Sequence, residues 1–127
     1  MEMARMHEMG ITAKQVTIST IFPGAIKAFH KHSIQTDWVA CVSGNVKLIT
    51  FENRDQSIPS SKETISQLTT TCFGEKKPLL VRIAPETYHG YTTIGNEPAT
   101  IIYITDHVYN PQDEFRLPWD FAGAEIW

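Results

Sequence analysis

Apolar and polar positions alternate in short runs along this chain, and most runs end at a glycine, a proline or an asparagine. Lys14 to Phe22 (KQVTISTIF) alternates and stops at Pro23-Gly24; Ala25 to His30 follows; Asp37 to Val42 stops at Ser43-Gly44; Val46 to Phe51 stops near Asn53. Ile65 to Cys72, Leu79 to Ile83, Tyr91 to Ile94 and Ala99 to Thr105 continue the rhythm, punctuated by Gly74-Glu75, Pro85 and Gly95-Asn96-Glu97-Pro98. β-Branched and aromatic residues at a period of two, cut regularly by turn residues, predict an all-β barrel or sandwich of about eight short strands.

Between the fourth and fifth runs, Arg54 to Lys62 (RDQSIPSSK) is polar with a proline in its middle and reads as a surface loop. The stretch from Tyr109 to Trp127 is interrupted by Pro111 and Pro118 yet holds Phe115, Trp119, Phe121 and Trp127, so it is expected to pack back on the barrel. Met1 to Gly10 is methionine-rich and charged, compatible with a short helix, a cut strand or disorder. At 127 residues and 14.4 kDa, residues 1–127 fit one domain with one core, and its N-terminal strand reads as missing or truncated.

Composition narrows the function classes. A hydrophobic share of 42% with a formal net charge of -3 describes a globular chain rather than a basic nucleic-acid binder, so no nucleic-acid partner is expected. No apolar run approaches the roughly 20 residues of a membrane span, and the start MEMARMHEMG lacks the organisation of a signal peptide. The expectation is a cytoplasmic protein without a membrane partner. Cys41 and Cys72 both fall in strand-like runs without a nearby histidine, which favours packing or a free thiol over a disulfide or a nucleophile.

The chemistry concentrates in histidines. Gly24, five residues, His30-Lys31-His32, four residues, Asp37, six residues, Gly44 resembles the first motif of the cupin superfamily, with Asp37 in place of its glutamate. Residues two apart on a strand face the same way, so His30 and His32 can point together into a barrel. Ala84 to His89 (APETYH) is a weaker match to the second cupin motif and keeps its histidine. His7 and His107 stand alone and read as ordinary polar groups. The resemblance implies a jelly-roll cupin barrel with His30, His32 and His89 converging on one cavity.

From about Thr17 onward the chain also resembles a narrower family, the dTDP-4-dehydrorhamnose 3,5-epimerases. Lys27-Ala28-Phe29-His30 is similar to its R-G-L-H, Val42 to Val46 to its V-x-G-x-V, and Asn53-Arg54 to its D-x-R. Ile83 to Tyr91 (IAPETYHGY) resembles I-P-P-G-F-A-H-G-F, Tyr109 to Glu114 matches Y-x-P-x-x-E, and Trp119-Asp120 with Ile126-Trp127 matches the closing W-D and I-x-W. This resemblance implies catalytic roles for His30 as base and Tyr103 as acid. It implies substrate contacts from Lys27, His32, Asp37, Arg54, His89, Tyr109, Glu114 and Trp119. The family's lysine falls on Asp37, and the resemblance places its histidine-orienting carboxylate beyond Trp127; Asp37 is expected to orient His30 or His32 in its stead.

Epimerisation beside a ketone needs a base to remove the α-proton, an acid to return one on the other face, and donors for the enolate oxygen. Histidine titrates near neutrality and suits the first task. The leading reading is a sugar-nucleotide epimerase or isomerase acting on a dTDP-4-keto-6-deoxyhexose, without cofactor and as a homodimer. The alternative is a cupin holding one divalent metal ion through His30, His32, Asp37 and His89; a third is a non-catalytic sugar-binding barrel.

Overall fold

The computed structural model describes residues 2–54 and 57–127. β1 (Gln15–Ile21), β8 (Ala99–Thr105), β3 (Asp37–Ser43) and β6 (Leu80–Ile83) form a four-stranded sheet in that order. β5 (Thr69–Gly74), β4 (Asn45–Glu52), β7 (Thr87–Thr93), β2 (Ile26–Lys31) and β9 (Phe115–Arg116) form a five-stranded one. All the strand pairings are antiparallel. The chain changes sheet at nearly every connection, which is the jelly-roll path expected from the cupin-like motif.

Three local readings change. The run from Ile65 does not start a strand: α2 (Ser61–Ser66) occupies its beginning, and the strand starts at Thr69. Ser60 caps that helix, its hydroxyl oxygen accepting from the Glu63 amide at 3.2 Å, so the Ser60 to Glu63 spacing is a start signal that outweighs the β-branched residues after it. The proposed loop therefore ends in a helix, and its Asp55 and Gln56 lie outside the described residues. β7 begins at Thr87, ahead of the expected Tyr91, which puts His89 on a strand paired with His30 rather than after a turn. At the N-terminus a single turn, α1 (Met6–Met9), ends at Gly10.

The apolar residues divide into two clusters. Ile21, Val39, Cys41, Val46, Leu48, Phe73, Ile83, Ala99 and Ile101 fill the space between the sheets. Phe29, Ile49, Phe51, Tyr88 and Leu117 lie on the other face of the five-stranded sheet, where the aromatic tail covers them. Phe29 meets Trp127 with ring centroids 5.4 Å apart, and Phe51 meets Phe121 at 6.4 Å. The tail thus packs back as its composition implies.

The strands change character along their length. β8 contributes Ala99 and Ile101 to the core but Tyr103 and Thr105 to a cavity; β1 contributes Ile21 to the core but Gln15 and Thr17 to the cavity. Inward positions at one end of the barrel are apolar and close-packed, while those at the other end are polar and leave space. Gly90 lets β7 lie close to β2, since a Cβ there would sit 2.3 Å from the Ala28 Cβ.

Candidate active site

The polar end of the barrel encloses a cavity of about 470 Å³. Lys27, His30, His32, Asp37, His89, Tyr103, Tyr109 and Glu114 all line it, joined by Gln15, Thr17, Gln35, Tyr91 and Thr105. Two expected contacts stay outside that lining. Arg54 is exposed and pairs with Glu52 at 3.6 Å. Trp119 is also exposed, and its backbone oxygen accepts from the Trp127 indole at 2.9 Å.

β2 and β7 carry the histidines. His30 pairs in register with His89, their ring centroids 6.3 Å apart, and His32 lies 6.0 Å from His89. Lys31, between the first two, points to the opposite face. There its ammonium donates to the Asn53 carbonyl and side-chain oxygens at 2.9 and 3.1 Å, and lies 3.3 Å from Glu86.

Each histidine has one nitrogen already engaged, and this decides what the other can do. His30 Nδ1 lies 3.2 Å from Glu114 Oε1, so an Nδ1 proton bonds the carboxylate and Nε2 keeps its lone pair. His32 Nδ1 donates to the Asp113 carbonyl at 2.8 Å, and His89 Nδ1 donates to the Thr87 carbonyl at 3.1 Å. Burial lowers His30 below the ordinary imidazole value, with Arg116 adding to the effect and Glu114 opposing it. Burial pushes His89 down to about 4, so it is neutral at physiological pH.

Glu114 is the carboxylate at the candidate base. It accepts from Tyr109 Oη at 3.1 Å and from the Arg116 guanidinium at 2.9 Å. Burial alone would raise its carboxyl, but Tyr109 and Arg116 outweigh that and hold it below the ordinary value. Asp37 does not orient His30 or His32 as expected. It accepts from the Gln35 side chain at 2.6 Å and faces His89 Nε2 at 3.6 Å, and burial pushes its carboxyl up. Sequence spacing missed this exchange of partners because Glu114 reaches His30 across 84 positions.

Tyr103 stands beside Tyr91, ring centroids 5.9 Å apart, and burial holds its phenol well above the ordinary value. It is therefore a neutral hydroxyl able to donate. Lys27 reaches the cavity with its ammonium on Ser19 Oγ at 2.9 Å and the Thr20 carbonyl at 3.3 Å. A base with a free lone pair, a neutral phenol and a cation around one space form a set suited to proton transfer next to a carbonyl.

Comparison with known proteins agrees with this chemistry. The family model of dTDP-4-dehydrorhamnose 3,5-epimerase matches residues 2–127. The spore coat polysaccharide biosynthesis protein SpsL of Bacillus subtilis is 37% identical over 108 residues, which cover 84% of this chain and 68% of SpsL. The probable low-salt glycan biosynthesis epimerase Agl13 of Haloferax volcanii is 30% identical over 105 residues, covering 80% of this chain and 64% of Agl13. The dTDP sugar isomerase of Desulfovibrio desulfuricans shares the fold, with a TM-score of 0.81 at 24% identity over 94% of this chain and 74% of its own. The chain belongs to the dTDP-4-dehydrorhamnose 3,5-epimerase family of sugar-nucleotide epimerases.

Proposed function

We propose that this protein epimerises a dTDP-linked 4-keto-6-deoxyhexose at a carbon next to the ketone, with His30 as base and Tyr103 as acid. The observation that carries the reading is the His30 to Glu114 pair. Glu114 fixes the imidazole by its Nδ1 side and leaves the Nε2 lone pair free to take the α-proton. As the positive charge forms on His30, the carboxylate 3.2 Å away stabilises it.

Removing that proton places negative charge on the ketone oxygen, and Lys27 is a cationic side chain among the cavity's lining residues that can offset it. Tyr103, neutral and weakly acidic, returns a proton to the carbon; inversion requires this to occur on the face away from His30. Both transfers use side chains alone, so neither needs a cofactor. Tyr109 offers a ring at the cavity edge for a nucleobase. The reading extends to a homodimer, since β1 is a sheet edge with Val16 and Ile18 exposed on it.

The test is deuterium uptake from heavy water into dTDP-4-keto-6-deoxyglucose, followed by mass spectrometry. The native protein should introduce label, and His30→Ala should lose roughly 100- to 10,000-fold of the rate. Glu114→Gln, which keeps the shape and removes the charge, should lose less. Label entering at the same rate without His30 would refute the assignment.

A further inference from the structure

The proton that Tyr103 returns to the sugar has to be replaced, and burial disfavours the phenolate that its loss would leave. A line of hydroxyls stands behind it. Tyr103 and Tyr91 share a hydrogen bond between their hydroxyls, their ring centroids 5.9 Å apart, and Tyr91 also hydrogen-bonds the Ser19 hydroxyl. Ser19 Oγ in turn accepts from the Lys27 ammonium at 2.9 Å. The line draws on four strands, β8, β7, β1 and β2, and so crosses between the two sheets.

Strand register brings these side chains together. Lys27 pairs with Tyr91 between β2 and β7, while Tyr103 pairs with Thr17, two positions from Ser19 on the same face of β1. The inner and outer parts differ in their access to water: Tyr91 is 7% exposed, whereas Lys27 is open to solvent. Tyr91 also stands where the family motif I-P-P-G-F-A-H-G-F closes on phenylalanine, so the hydroxyl in the middle of the line is absent from that motif.

We propose that Tyr91 and Ser19 relay protons from Lys27 to Tyr103, so that the acid is recharged as it acts; the proposal rests on the epimerase reading. The Tyr103 O–H bond breaks as a C–H bond forms on the enolate carbon. Tyr91 passes its hydroxyl proton to the Tyr103 oxygen, Ser19 passes its own to Tyr91, and Lys27 gives one ammonium proton to Ser19. The enolate loses its negative charge as the ketone re-forms, Lys27 becomes a neutral amine, and the total charge is unchanged. Lys27 then recovers a proton from water, and Tyr103 is never left as a phenolate. Hydroxyls suit the task because each donates and accepts at once, and bonds in such a line strengthen one another. Tyr91 is thus a positioning residue that acts through Tyr103. Lys27 serves twice, first as the charge that offsets the enolate and then as the source of the proton.

Tyr91→Phe removes one oxygen and keeps the ring. The experiment incubates dTDP-4-keto-6-deoxyglucose with protein in heavy water, mass spectrometry counting the label and NMR separating inverted from uninverted sugar. Label can enter without inversion through His30 alone, because the proton then leaves and returns on one face. Tyr91→Phe should keep that exchange within about threefold of native while inversion falls roughly 10- to 100-fold, a part of what a positioned acid contributes. Ser19→Ala should show the same split, and the double variant should be no slower than the slower single one, since both cut one line. Circular dichroism identifies folded variants, and if Tyr91→Phe fails to fold, Ser19→Ala decides. Native inversion in the folded variants would overturn the relay, as would an equal loss of exchange and inversion or losses that add in the double variant. A native protein that introduces no label at all overturns the epimerase reading itself, and the relay with it.

Discussion

Replacing Lys31 by methionine should destabilise the protein strongly while sparing its chemistry. The side chain is 3% exposed, its ammonium donates to two oxygens of Asn53 and lies 3.3 Å from a Glu86 oxygen, and the rings of Tyr88 and Phe115 flank it at 5.1 and 5.2 Å. Glu86 Oε2 has no other partner among the described residues. Methionine preserves the stem but strands the Glu86 charge. Breaking a buried pair from one side costs about 3–5 kcal/mol, and the 20% exposure of Glu86 trims this to about 2–4. With an unfolding entropy of about 2.1 cal/mol/K per residue over 127 residues, the Tm should fall by roughly 7–15 °C. Thermal and urea melts measure it. Lys31→Met with Glu86→Leu should recover at least half of the loss, because the stranded charge is gone too. A Tm within about 3 °C of native, or a double variant no better than the single, would refute the reasoning. Turnover well below the melting range should be unchanged, since Lys31 points away from the cavity.

Two other perturbations probe the frame of the site. Gly90→Ala places a methyl against Ala28 and should cost about 1–3 kcal/mol, with deuterium exchange falling as β2 and β7 separate; Ala28→Gly in the same chain should restore part of both, since the Ala28 Cα and Lys27 carbonyl stay close, and a native-like melt of Gly90→Ala would dismiss the close approach. For Asp106, burial alone would raise the carboxyl. The bond from the Thr36 amide at 2.9 Å and the neighbouring His107 outweigh it and hold the folded value below the ordinary one. A depressed folded value adds stability above the unfolded pKa and loses it as pH falls through the folded one. Asp106→Asn should therefore be less stable than native by on the order of 1 kcal/mol at pH 7, with the gap closing in acid; a gap constant with pH would contradict this.

The barrel was legible because alternation, turn residues and the His30-x-His32 spacing are local signals. His89 was found by its motif even though its strand was begun four residues late, because β7 is buried nearly throughout and offers little alternation to read. Partners were another matter. Asp37 lies five positions from His32 in sequence yet faces His89, while His30 is held by a carboxylate from the tail. Arg54 and Trp119 match family letters, but their exposure leaves them outside the cavity lining. Periodicity could not show β9, two residues long and paired with β2 at His30 and Lys31.

That short strand implies a division of labour within the chain. The barrel wall supplies the reactive rings, whereas the strap from Tyr109 to Arg116 supplies what holds them: a carboxylate for one ring, a backbone oxygen for another, and a guanidinium that binds that carboxylate and lowers the proton affinity of the first ring. Substitutions in the strap can adjust proton affinity and reach without touching a wall residue. Diversification of such sites can thus proceed at the exposed positions of a peripheral segment, while the costly geometry of the sheets is inherited intact.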